Sequence, residues 1–334
     1  MDGLGAPGWA DVHLVHRSLP ELALAEIDLS TQVAGLKLPR PILINAMTGG
    51  AQAVVPINRD LGRLAAEFDL AIAVGSQTAG IREPEVRDSY RVVRQEHPRG
   101  VIIANVSAGV SADDACRAVE MLEADGLQLH LNAPQELMMP EGDRDFRGLL
   151  ANIAQIAGKV GVPVIVKECG FGVSRETARQ LYDIGIRAID VSGRGGTNFA
   201  WIEGQRDGGD LDPGLVGWGI PTAAAVAEVA ALELPGLDLI ASGGVTYGSE
   251  AAKALALGAA AVGVAGSLLR IHQTDGLAAA RAYLERLLSD LTRALLLCGA
   301  AAPAAMRRRP VVVTGATGDW CRLRGVDLGR LANR

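Results

Sequence analysis

The sequence predicts a (β/α)8 barrel, the TIM-barrel class, as a single domain over residues 1–334 with its core at about 40–298. Three observations predict it. Eight short apolar runs alternate with eight segments of helical character. Each run leads into small, polar or glycine residues, as a barrel requires where its strands open onto a site. No G-x-G-x-x-G follows the first run, which disfavours an open doubly wound sheet.

Residues 1–35 are irregular, and within them 9–16 (WADVHLVH) and 26–29 read as short strands or packing segments ahead of the barrel. His13 and His16 lie on a semi-apolar segment and read as structural. The runs are 42–45 (ILIN), 70–74 (LAIAV), 101–105 (VIIAN), 127–131 (LQLHL), 164–167 (VIVK), 188–191 (AIDV), 239–242 (LIAS) and 261–264 (AVGV). The helical segments between and after them are 58–67, 84–96, 112–124, 146–160, 175–183, 221–231, 249–257 and 275–297. Ser111 with Asp114 has the spacing of a capping box, and Pro84 and Pro221 suit a first helical turn. Residues 310–334 form a helical C-terminal extension read as packing or subunit contact.

Composition bounds the function. Hydrophobic content is 49%, charged content 21% and aromatic content 4%, so the core is mostly Ala, Val, Leu and Ile. A net charge of −6 argues against nucleic acid or an anionic membrane as partner. The basic run 307–309 reads as a solvated turn. Four scattered cysteines with no C-x-x-C imply a reducing compartment and no zinc site. With no signal pattern and no apolar run long enough to span a bilayer, the expectation is a cytoplasmic protein.

The richest stretch is 127–146, LQLHLNAPQELMMPEGDRDF. Its start alternates strictly, so Leu127, Leu129 and Leu131 face the outer helices while Gln128, His130 and Asn132 face inward. Gln135 and Glu136 follow at once. Lys167 points inward with Ile165, and a cation inside a barrel is costly unless an anion meets it. After the seventh and eighth runs, Ser242-Gly243-Gly244 and Ala265-Gly266 leave backbone N–H groups bare, the position where barrels hold phosphate. Residues 192–220 are too long for a simple connection and read as a lid. Together these features suit a flavin mononucleotide (FMN), its ring beside Lys167 and its polar edge near Thr48, Ser76 and Asn105.

Six stretches, INAMTGG (44–50), HLNAPQELMMPEGDRDF (130–146), VIVKECGFGVSRE (164–176), DVSGRGGTNFAWIE (190–203), WGIPTAA (218–224) and ASGGV (241–245), resemble the type 2 isopentenyl diphosphate isomerases. The likeness runs from about residue 11 to the end. It implies an FMN enzyme that uses NADPH as reductant and Mg²⁺, assembled as a homotetramer or homo-octamer. The reaction it implies is a 1,3-allylic proton shift between isopentenyl and dimethylallyl diphosphate. By the same resemblance Gln135, Lys167 and His130 are catalytic, and His130, Asn132 and Gln135 bind substrate. Glu136 would hold the metal. The cofactor set is Ala46, Met47, Thr48, Ser76, Asn105, Lys167, Ser192, Thr197, Gly243, Gly244, Ala265 and Gly266. Two departures stand out. The family's basic Arg-Lys-x-x-His element, which clamps the diphosphate, has no counterpart in the opening MDGLGAPG, and Thr78 stands where the family often has Arg, with Arg82 nearby. Either the natural chain starts upstream or the clamp is weakened. The weakened case leaves open another substrate for an FMN oxidoreductase or isomerase, or FMN binding without catalysis.

Overall fold

The computed structural model describes residues 5–206 and 212–334. Eight parallel strands close into a barrel in sequence order: Ile42–Ile44, Ala71–Ala73, Ile102–Ser107, Gly126–Leu131, Val164–Glu168, Ala188–Asp190, Asp238–Ala241 and Ala261–Val264. The last pairs with the first through Val262 and Ile42. All eight fall on the apolar runs. The period-two reading holds as well. Leu127, Leu129, Val164 and Val166 pack with the outer helices, whereas Ile165 joins the barrel interior with Leu43, Ala73, Ile103 and Ile240.

A hairpin that the sequence reading left within the irregular N-terminal stretch closes the lower end of the barrel. Strands Thr31–Val33 and Leu36–Leu38 pair antiparallel, and Val33 and Leu38 belong to the interior cluster. Thr31 Oγ1 donates to the carbonyl of Ala260 at 2.9 Å, and Ala34 N donates to Asp238 Oδ2 at 2.8 Å; both lie where barrel strands begin. With its floor sealed by apolar side chains, the barrel opens at the strand C-termini.

Several helices depart from expectation, each for a local reason. The segment expected at 84–96 is a 3-10 turn Pro84–Val86 and a helix Asp88–Glu96; an unexpected helix Thr78–Arg82 precedes it and stops before Pro84, which lacks the N–H that would continue it. The 146–160 segment starts at Leu149, after Gly148 at φ 83°. Pro221 is the N-cap of Thr222–Ala230 and stands just outside the first turn. The last of the eight expected helices starts at Gly266, earlier than expected, and runs to Leu297 with a break at Gly276, φ 84°. Ser111 does cap its helix, accepting from Asp114 N at 3.1 Å.

The chain ends meet beside the barrel. Val12–Leu14 pairs antiparallel with Val311–Val313, and His13 Nε2 bonds Thr314 Oγ1 at 3.1 Å. Glu228, fully buried, accepts from Trp320 Nε1 at 3.0 Å, Arg324 Nε at 3.3 Å and Arg175 N at 3.0 Å, which ties helix Gly315–Leu323 to the barrel wall. The run 307–309 is more than a solvated turn. Arg307 Nε donates to the Ala259 carbonyl and Arg309 to that of Gly299. All four cysteines are free thiols. Among the described residues no helix is long and apolar enough to cross a membrane.

Candidate active site at the strand C-termini

Above the apolar interior the barrel turns polar. Asn45, Gln128, Lys167, Asp190 and Ser242 are buried side chains from five different strands or strand ends. Alternation dictates this: Asn45, Lys167, Asp190 and Ser242 each lie two residues beyond an inward apolar residue, Leu43, Ile165, Ala188 and Ile240, and Gln128 lies two beyond Gly126. Asp190 Oδ2 accepts from Asn45 Nδ2 at 2.6 Å, Asp190 Oδ1 accepts from Ser242 Oγ at 2.6 Å, and Gln128 Nε2 donates to Asn45 Oδ1 at 3.1 Å. Lys167 Nζ donates to the Glu168 carbonyl at 2.7 Å and to Ser192 Oγ at 3.1 Å. Burial pulls the ammonium of Lys167 down, but negative charge at Cys169, Asp190 and Glu168 outweighs it, and the group stays above the ordinary lysine value. Glu168 is itself pushed up to about 8 by burial, against N–H donors from Phe171 and Gly172 at 2.5 and 3.0 Å.

Over this layer lies a cavity of about 790 Å³, inside the range of roughly 300–1,000 Å³ usual for small-molecule sites. Ala46, Met47, Lys167, Ser192, Thr197, Gly243, Gly244, Ala265 and Gly266 of the expected cofactor set line it. Thr48, Ser76 and Asn105 lie outside that lining. Thr48 Oγ1 donates to Asn58 Oδ1 at 2.6 Å, Ser76 Oγ pairs with Thr78 Oγ1 at 3.2 Å, and Asn105 Oδ1 meets His130 Nδ1 at 3.1 Å.

One end of the cavity is shaped by missing side chains. Gly243 and Gly244 adopt φ 101° and 71°, and a Cβ on Gly244 would come within 2.5 Å of the Gly195 carbonyl oxygen. Gly196 is equally confined, since a Cβ there would meet Gly244 N at 2.8 Å. Backbone packed this closely, beside the start of helix Gly266–Leu297, presents N–H groups to an anion. The residues present therefore fit FMN: a glycine-built cradle and a buried cation, Lys167, line the same cavity. Gly5 and Ala6 also line the cavity, so the segment before Trp9 reaches its rim; residues 1–4 of MDGLGAPG lie outside the described residues.

Beside the cavity stands the end of the fourth strand. His130 is held well below the ordinary histidine value, at about 4, by burial and then by the charge of Lys167. Asn132 Nδ2 donates to Glu136 Oε1 at 2.7 Å, and Asp143 N donates to Glu136 Oε2 at 3.0 Å. Glu136 thus offers one oriented carboxylate, and among the described residues no three His, Cys, Asp or Glu cluster as a metal site. One carboxylate suits Mg²⁺ when the remaining ligands come from substrate phosphate and water.

Gln135 has a partner that sequence reasoning missed. Its Nε2 donates to Glu203 Oε1 at 2.9 Å. Glu203 is 6% exposed and sits on helix Phe199–Arg206, which carries Phe199, Trp201 and Ile202 into the cavity wall. Arg206 pairs with Glu203 Oε2 at 2.5 Å and with Glu141 at 3.5 Å. The segment 192–220 read as a lid thus contributes a wall and an acid; its residues 207–211 lie outside the described residues. The missed signal was an acid four residues after Phe199, one helical turn on, and so on one face with it.

Comparisons with known proteins agree with this geometry. Residues 65–313 match the family described as FMN-dependent dehydrogenase. The chain is 65% identical over 333 residues to an isopentenyl-diphosphate delta-isomerase of Symbiobacterium thermophilum, covering 99% of this chain and 92% of that one. It is 50% identical to the enzyme of the same name from Moorella thermoacetica, covering 96% and 92%. Among solved structures, a mandelate oxidase variant with (S)-mandelic acid matches at a TM-score of 0.69 and 17% identity over 94% of this chain and 90% of that one, which establishes the shared barrel fold. With its FMN-type cavity and its identity to these enzymes over nearly all its length, the chain belongs to the type 2 isopentenyl-diphosphate delta-isomerase family.

Proposed function

We propose that the protein interconverts isopentenyl and dimethylallyl diphosphate by a 1,3-allylic proton shift, with reduced FMN, NADPH as reductant and Mg²⁺. The observation that carries the reading is the Gln135–Glu203 pair, whose acid sits on the helix that walls the cavity, in a chain 65% identical to a relative of that name.

Reduced FMN, when bound, supplies proton-donating chemistry and a polarisable electron-rich surface beside the alkene. The chain's own residues do the rest. Gln135 faces the substrate carbons with its amide fixed by Glu203, whose charge is in turn balanced by Arg206; this pair holds and moves the second proton. Such placement is worth roughly 10²–10⁴ in rate. Lys167 would hold the polar edge of the ring. Neutral His130 and the amide of Asn132 would orient the diphosphate, and Glu136 would hold Mg²⁺ against it. Phe199, Trp201 and Ile202 give the cavity an apolar wall. The protein is further proposed to be cytoplasmic and to assemble as a homotetramer or homo-octamer.

The test is anaerobic incubation of the full chain with isopentenyl diphosphate, FMN, NADPH and Mg²⁺. Dimethylallyl diphosphate is expected to appear, and to fail to appear when FMN or Mg²⁺ is withheld. A chain that binds FMN and forms none of it overturns the reading.

A further inference from the structure

One buried charge has no part in the roles above. Asp190 ends the sixth barrel strand and is fully buried. Its oxygens accept from Asn45 Nδ2, Ser242 Oγ and, at 3.2 Å, Ser192 N. Asn45, Ser192 and Ser242 all line the cavity, so this one carboxylate anchors the ends of the first, sixth and seventh strands. No cation is ion-paired with it among the described residues. Burying an anion this way is costly, and holding three strand ends together does not require a charge.

The surroundings are arranged for it. Gly263 faces the network from the eighth strand, and a Cβ there would come within 2.7 Å of Asn45 Nδ2 and 2.8 Å of the Ser242 Cβ. Gln128 donates into the network, and its own Oε1 has no partner among the described residues. Asp190 is also the register partner of Lys167. Asp190 is one of the groups whose negative charge raises Lys167, and it is the one that also accepts from Asn45 Nδ2, Ser242 Oγ and Ser192 N.

We propose that Asp190 is a positioning residue for the flavin: through Asn45 and Ser242 it fixes the floor of the cavity, and its fixed negative charge lowers the reduction potential of the bound ring. Reduction adds negative charge to the ring, and a buried anion nearby opposes this more strongly than it would in water. The proposal rests on the FMN reading of the cavity and not on the identity of the substrate.

The test uses the FMN-loaded full chain as wild type, Asp190→Asn and Ser242→Ala, with midpoint potential read by reductive titration against a reference dye and FMN affinity read by flavin fluorescence. Asp190→Asn removes the charge and turns an amide toward Asn45 Nδ2. Its potential is expected to move to more positive values and its FMN Kd to rise about tenfold, the loss that goes with an unmet buried donor. Ser242→Ala removes one donor and keeps the charge, so FMN is expected to bind more weakly at the wild-type potential. An unchanged potential in Asp190→Asn overturns the proposal, as does an equal shift in Ser242→Ala. Should Asp190→Asn fail to fold, Ser242→Ala decides. Weaker FMN at an unchanged potential upholds the proposal, and wild-type affinity or a shifted potential overturns it. An intact isomerase with an unmoved potential sinks this inference alone, whereas a shifted potential in a chain that does not isomerise sinks only the substrate reading.

Discussion

At the scale of single residues, neutral His130 carries a cost that depends on pH. Its folded-state value near 4 lies below the ordinary 6.5. Between those values the unfolded chain takes up a proton that the folded chain refuses, so stability falls as pH drops through that window. Across the whole window, from 6.5 down to about 4, the loss amounts to roughly 3 kcal/mol, at about 1.36 kcal/mol for each pH unit. His130→Gln is expected to flatten the dependence of chemical-denaturation midpoints on pH between 6.5 and about 4; an unchanged slope would show that other groups set it. Glu168 works with the opposite sign. Its value is raised from 4.5 to about 8, so the folded state keeps a proton that the unfolded state loses, and stability falls as pH rises across that interval. Glu168→Gln is expected to remove that decline, which the same midpoints report.

Residue-scale reading from sequence succeeded where alternation governs. The inward set Gln128, His130 and Lys167 follows from period two alone. Glu203 and Asp190 escaped it because their importance comes from partners distant in sequence, Gln135 and Ser242. Thr48 and Ser76 were read as facing the ring from their place after a strand. The hydroxyl of Thr48 is instead engaged by Asn58, one helix away, and that of Ser76 by Thr78, which spacing cannot show.

At the scale of elements, two joints carry most of the consequence. The Gly243-Gly244 turn works because its backbone can approach Gly195 and Gly196. Gly244→Ala adds a Cβ at positive φ against a carbonyl oxygen, and FMN affinity is expected to fall at least about tenfold while the barrel's circular dichroism is kept. Tight FMN binding in that variant would mean the cradle lies elsewhere. The second joint is the Glu228 clasp. Glu228→Gln leaves an amide where Arg324 and Trp320 Nε1 meet a carboxylate, and destabilisation of about 1–3 kcal/mol is expected, with a change in Trp320 emission. A stability within error of wild type would show the C-terminal helix to be held by its apolar contacts. Strand positions were legible because eight apolar runs leave little choice. Helix ends were less so, since Pro84, Gly148 and Gly276 each divide or delay a periodic pattern that continues past them.

At the scale of the molecule, the design is a barrel closed below by the Thr31–Leu38 hairpin and open above onto a polar layer, so the cavity meets chemistry on one side only. The hairpin was hidden because three-residue strands carry too few alternations to stand out. The central claim is that this mouth moves a proton on an unactivated alkene, with Gln135 and Glu203 beside the flavin cavity. The most direct measurement is proton NMR of isopentenyl diphosphate turned over in deuterium oxide by the FMN-loaded, reduced protein, as wild type, Gln135→Ala and Glu203→Gln. The account predicts deuterium in the dimethylallyl product of the wild type, and a rate roughly 10²–10⁴ lower in both variants although they bind FMN normally. Wild-type rates in both variants would contradict it.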